Sequence, residues 1–176
     1  EGEWELIGLQ EDESDQVDRI WRAYLARIKN GILLGKVIFI VNADAPRYGW
    51  VASSFCDRDD HYHVVVKVNR ESDVDCWAVR LGTTRRRPSW SDGMKQMQDT
   101  LEAREVHIPT HMSIAAYNRR NDYNLLALIY WFGPESGIVT PEDAKEWAAH
   151  WKPKVDAGFL GDLKAFKAKK APTPLK

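Results

Sequence analysis

The chain has 176 residues, 44% of them hydrophobic and 29% charged, with a formal net charge of −1. One domain with one core of ordinary size accounts for that length, and no run of about eighteen apolar residues exists to span a bilayer, so the sequence predicts a protein without a membrane partner. Two cysteines, Cys56 and Cys76, make neither a dense disulfide framework nor a Cys-x-x-Cys pair, and predict free thiols in a reducing compartment, which places the protein in the cytoplasm.

Charge is unevenly spread. Residues 1–18 carry eight acids and no base, whereas the stretch from Gly161 has five lysines against Asp162, and "TTRRRPSW" lies between. Such polarity suits an anionic partner for the basic parts, or simple solvation of a charged face.

In chain order, "EWELIGLQ" alternates as a first strand. In "VDRIWRAYLARI" the apolar residues Val17, Ile20, Trp21, Tyr24, Leu25 and Ile28 recur at helical spacing. With Ser14 as cap, acids at the start, and Asn30-Gly31 as the stop, the pattern predicts a first helix. "KVIFIVNAD" and "RYGWVASSF" read as strands. "HYHVVVKVN" alternates, with Tyr62, Val64, Val66 and Val68 on one face and His61, His63, Val65 and Lys67 on the other.

"CWAVRLG" repeats that pattern. A hairpin that matches the apolar faces pairs Val66 with Trp77 and Val64 with Val79, which sets His63 beside Arg80 on a cationic face. A second helix carries Met94, Met97 and Leu101 behind a cap at Ser91 or Asp92, although Gly93 weakens its first turn. "EVHIPTHMSIAAYN" and "YNLLALIYWF" form a late hairpin. Pro109 puts an edge or bulge in the first of these strands, and the second, apolar on both faces, is central. "TPEDAKEWAAHWK" is a third helix with Thr140 as cap, Pro141 at the first helical position, and a stripe of Ala144, Trp147, Ala148 and Trp151 that Pro153 stops.

The order βαββββαββα predicts an α+β fold in which three helices pack on one face of a curved antiparallel sheet. Residues 1–160 form the domain, and 161–176 are a basic, flexible tail.

Three stretches together resemble the cap-binding translation initiation factor 4E family. They are "VDRIWRAYLARI", "CWAVRLGTTRRRPSWSDGMKQMQDTLE" and "SIAAYNRRNDYNLLALIYW" with the helix after it. The resemblance implies the three-helix, one-sheet fold, a dorsal site at Val17 and Trp21 for a helical peptide of a partner protein, and basic side chains at Arg119 and Arg120 for cap phosphates. The family's cap-sandwiching tryptophans are missing: "QEDESD" is short and lacks tryptophan, and no Trp-Glu pair precedes "CWAVRL". In this respect the chain is similar to a divergent branch of the same fold, the basophilic-leukaemia-expressed-protein type.

Three functions compete. The first is non-catalytic binding of an RNA 5′ end or nucleotide-like anion, with Arg80, Arg85, Arg86, Arg87, Arg119 and Arg120 as phosphate forks and Trp50 and Trp90 as stacking groups, without a cofactor. The second is a metal-dependent enzyme, nuclease chemistry included, in which His61, His63, His107 and His111 hold a divalent transition metal. The third is a protein-interaction module that receives a partner helix at Val17 and Trp21, for which the competing reading is that Trp21 is core.

Overall fold

The computed structural model describes residues 3–14, 17–42, 56, 58–70, 73–88, 90–122 and 124–161. Among these residues seven strands build one antiparallel sheet: β1 (Trp4–Ser14), β2 (Val17–Lys29), β3 (Ile32–Asn42), β4 (His63–Arg70), β5 (Asp73–Thr83), β6 (His111–Arg120) and β7 (Leu125–Phe132). Across the sheet they run β1-β2-β3-β7-β6-β5-β4. Among the described residues there are two α-helices, α1 (Asp92–Ala103) and α2 (Pro141–Phe159), with a 3₁₀ turn at Pro134–Ser136. Neither is long and apolar enough to cross a membrane.

The expected first helix is corrected to a strand. Residues 17–29 form β2, paired to β1 and β3 along its length. Its apolar residues lie in two rows of step four, 17-21-25 and 20-24-28, and a step of four stays on one side of a helix and also on one face of a strand. The two rows adjoin on a helix; on β2 Trp21 and Leu25 take one face and Ile20, Tyr24 and Ile28 the other. The "NG" that reads as a helix stop is a two-residue hairpin turn: Asn30 and Gly31 have φ of 52° and 74°. Lys29 pairs with Ile32 across it. Positive φ at both central residues gives strands the twist they need.

The expectation of three helices on one face is corrected as well, because the two helices cover opposite faces. On the first face Tyr24, Ala26, Ile38, Ile114 and Trp131 meet Met94, Met97 and Leu101 of α1. On the second face Val79, Ala115, Tyr117 and Leu128 meet Ala144, Ala148 and Val155 of α2. Helix α1 sits towards β1 and β2, and α2 towards β5 and β6. Among the described residues each face therefore has a helix towards one end only.

Local chemistry fixes both helices. The Ser91 side chain caps α1 by accepting the Met94 N–H. Gly93, far from weakening the start, makes the docking possible: a Cβ there would lie 2.3 Å from the Tyr24 ring. Gln10 Oε1 accepts from both the Tyr24 hydroxyl (3.0 Å) and the Gly93 N–H (3.1 Å), which ties β1, β2 and α1 together. Thr140 and Asp143 form a capping box at α2, with Pro141 in the first turn. The expected stop at Pro153 is corrected: α2 continues to Phe159. Proline removes one backbone donor, whose acceptor would be the carbonyl of Ala149 on the exposed side, while Val155 and Phe159 beyond it pack on the sheet and offset the loss.

Three further expectations change. In the β4–β5 ladder His63 pairs with Val79 and Val65 with Trp77, so His63 sits against the Trp77 ring at 4.7 Å and not beside Arg80. The hairpin slips by one residue from the apolar match, and the valine face of β4 is left to solvent. Pro109 precedes β6, which lies between β5 and β7 with no edge. Central β7 is as expected. Cys56 and Cys76 are not free thiols but a disulfide, which ties the connection between β3 and β4 to the first face of β5.

Candidate functional site

The arginines expected to share one ligand are dispersed. Arg85, Arg86 and Arg87 follow Thr83, which pairs with His111 at the start of β6; Arg119 and Arg120 end the same strand, about 27 Å away at strand rise. Arg119 and Arg120 also face opposite sides of the sheet. The Arg119 guanidinium donates to Asp73 at 2.6 Å and stacks on Phe159 at 4.9 Å, whereas Arg120 is buried on the first face. Arg80 lies 3.6 Å from Asp60, and Arg86 donates to Asp99. Asp60 is held down to about 2, first by its hydrogen bond from Arg58 and then by the charge of Arg80. Arg85 and Arg87 are exposed. Trp50 lies outside the described residues.

Trp90 is partly buried against the first-face core, where its ring and that of Trp131 enclose the Lys36 ammonium at 5.1 Å and 4.4 Å. Lys36 is 1% exposed, and burial pulls its pKa down to about 8.

The histidines do not converge. His63 is against Trp77 on β4, with His61 just before that strand, whereas His107 bridges to Ile32 at the start of β3. Four strand spacings, roughly 19 Å, separate β3 from β4. His111 is exposed at the start of β6. Among the described residues no group of three His, Cys, Asp or Glu side chains is placed to hold a metal ion.

What the sheet does bring together is apolar. Helix α2 covers β5, β6 and the β7 aromatics on the second face, and among the described residues no helix covers that face from there to β1. The result is a cleft of about 830 Å³. Its floor is Leu25, Phe39 and Leu128 with their neighbours, and its far rim is Trp4 and Leu6 of β1. A β-bulge between Leu6 and Gly8 keeps Trp4 and Leu6 on the face of Leu25, while Gly8 pairs with Tyr24. Trp151, Val155 and Phe159 make the wall.

That wall is rigid. Trp147 packs edge-on to Tyr130 (4.8 Å) and Phe132 (4.7 Å) and lies 5.6 Å from Trp151, a cluster that anchors α2 on β7. The Tyr117 hydroxyl donates to the Ala148 carbonyl at 2.8 Å, and the Lys152 ammonium donates to Asp75 on β5 at 2.9 Å. Burial pushes Tyr130 up to about 12, so its phenol stays neutral at the edge of the cleft. The Trp151 indole nitrogen is buried with no hydrogen-bond acceptor among the described residues. Asn124 and Lys154 are the polar lining residues besides the tyrosine hydroxyl, and the described lining holds no carboxylate, histidine, serine or cysteine. Trp21 of β2 lies on this open face, 39% exposed, between Glu11 and Val41 in the ladder. Val17 begins the same strand.

Sequence reasoning missed the cleft because most of its wall, Val155 and Phe159, comes from the part of α2 beyond Pro153. The signal was present: Trp151, Val155 and Phe159 repeat at a step of four and continue the stripe of Ala144 and Ala148. "VIFIV" and "LLALIYWF" also demand cover on both faces.

No family model, curated protein or solved structure matches this chain.

Proposed function

We propose that the protein is a non-catalytic carrier or sensor of an elongated apolar small molecule, of the class of acyl chains, seated between α2 and strands β1–β3 and β7. One observation carries this reading: a cleft of about 830 Å³, lined almost wholly by aliphatic and aromatic side chains. That size lies in the range of ligand sites, roughly 300–1,000 Å³, and such a lining binds by removal of apolar surface from water. The described lining holds Lys154 and Tyr130 but no carboxylate, histidine, serine or cysteine, a set that favours binding over catalysis. The Cys56–Cys76 disulfide favours an oxidising compartment over the cytoplasm.

The test uses N-phenyl-naphthylamine, a neutral probe that fluoresces out of water. The wild-type chain enhances its emission saturably, with one probe per chain, and palmitate displaces it. Leu25→Glu, at the cleft floor, abolishes the enhancement, while Val64→Glu on the opposite face leaves it. Absence of enhancement with the wild type, or its survival in Leu25→Glu, overturns the reading.

A further inference from the structure

The two edges of the sheet are built differently. β1 at one end has bulges between Leu6 and Gly8 and between Asp12 and Ser14, and carries acids such as Glu5 and Glu11. Bulges and charge are the devices that keep an edge from recruiting another strand. β4 at the other end has no proline and no carboxylate; its charges are Lys67, on the face opposite the valine row, and Arg70 at its terminus, where its one irregularity also falls, between Val68 and Arg70. Among the described strands only β5 pairs with it. Val64, Val66 and Val68 stand 42%, 45% and 61% exposed in one row on the first face. A straight edge with an apolar row offers both a hydrogen-bonding template and area to bury.

We infer that β4 pairs antiparallel with β4 of a second copy, about a two-fold axis at Val66, so that one sheet runs through a dimer. The register follows from the sequence of the strand. Opposed residues in an antiparallel pair share a face, so a symmetric pairing must centre on a residue. Centred on Val66, it sets Val64 against Val68 and Val66 against itself, and puts Lys67 across from Val65. Centred on Lys67, it would set two ammonium groups face to face; centred on Val65, it would oppose His63 to Lys67 and take Val68 off the valine row. Only the Val66 register joins six valines in one band and keeps the lysines off each other.

The experiment uses the full chain with its disulfide intact. Light scattering after size exclusion shows a concentration-dependent dimer, and Val66→Lys, at an exposed position, is monomeric with an unchanged far-ultraviolet circular dichroism spectrum. Variants with one cysteine added to the native Cys56–Cys76 pair read the register: Val66→Cys forms a covalent dimer linked 66 to 66 on mild oxidation, as mapped in non-reduced peptides, whereas Val64→Cys, which faces Val68, does not. Leu25→Glu in the cleft leaves the dimer intact, which separates this inference from the ligand reading. The inference is overturned by a wild type that stays monomeric at high concentration, by a dimer that survives Val66→Lys or is lost in Leu25→Glu, by equal cross-linking at 64 and 66, or by oligomers larger than two, which would mean head-to-tail pairing of β4 with β1.

Discussion

The two halves of the sheet's second face have the same kind of surface and opposite fates. Under α2, Val79, Ala115 and Tyr117 are 0–1% exposed. Across the β3–β7 seam, Leu6 and Trp21 are 57% and 39% exposed, although these residues are as apolar as those under the helix. Composition therefore does not separate the buried from the exposed half; among the described residues the presence or absence of a covering helix does.

The contrast can be broken most directly at Tyr117. Tyr117→Ala removes a buried ring and its hydroxyl bond to α2, and should lower unfolding free energy in urea by about 3–5 kcal/mol. A loss under about 1 kcal/mol would mean that α2 does not clamp this half.

A middle-sized effect, of opposite sign, is expected at Lys36 on the other face. Its pKa falls from 10.5 unfolded to about 8 folded, so between those values the unfolded chain holds more protons and stability rises with pH; below about pH 8 the penalty of the buried charge is complete. That shift corresponds to roughly 3 kcal/mol, from which contacts with two tryptophan rings return roughly 1–2. Lys36→Met should therefore stabilise the protein by about 1–2 kcal/mol at pH 7, with the gain shrinking towards pH 10.5 in parallel urea titrations. A variant less stable than the wild type at pH 7 would show that the cation–π contacts outweigh desolvation.

The smallest effect is at Trp21. Half-exposed on the open half, Trp21→Ala should cost about 1 kcal/mol or less, well below the 3–5 expected of a buried aromatic. A cost equal to that at Tyr117 would erase the distinction between the halves.

How much of this was legible in the sequence depended on whether a pattern had one structural meaning. Ser91 and Thr140 mark helix starts by hydrogen-bonding chemistry that strands cannot use, and both helices begin where those caps predict. The i, i+4 rows of residues 17–28 have two meanings, and only the pairing of β2 on both sides decides between them. The same residues carried the first part of the resemblance to the cap-binding family, and they form a strand. Arginine-rich loops were visible, but their distance along β6 was not, since it needs the register. The cleft required knowing that the two described helices pack on opposite faces, each towards one end of the sheet.

The seam between β3 and β7 has a consequence for how the chain reaches this state. Ile38 pairs with Ile129 there, while β1–β2–β3 is a meander of short connections and β6–β7 a tight hairpin. Each side can zip up locally, but joining them closes a loop of roughly ninety residues, whose entropy is lost before the seam's contacts repay it. Folding of the whole sheet thus waits on one long-range encounter, and until it occurs the tryptophans and leucines of both meanders are open to any other chain that collides with them.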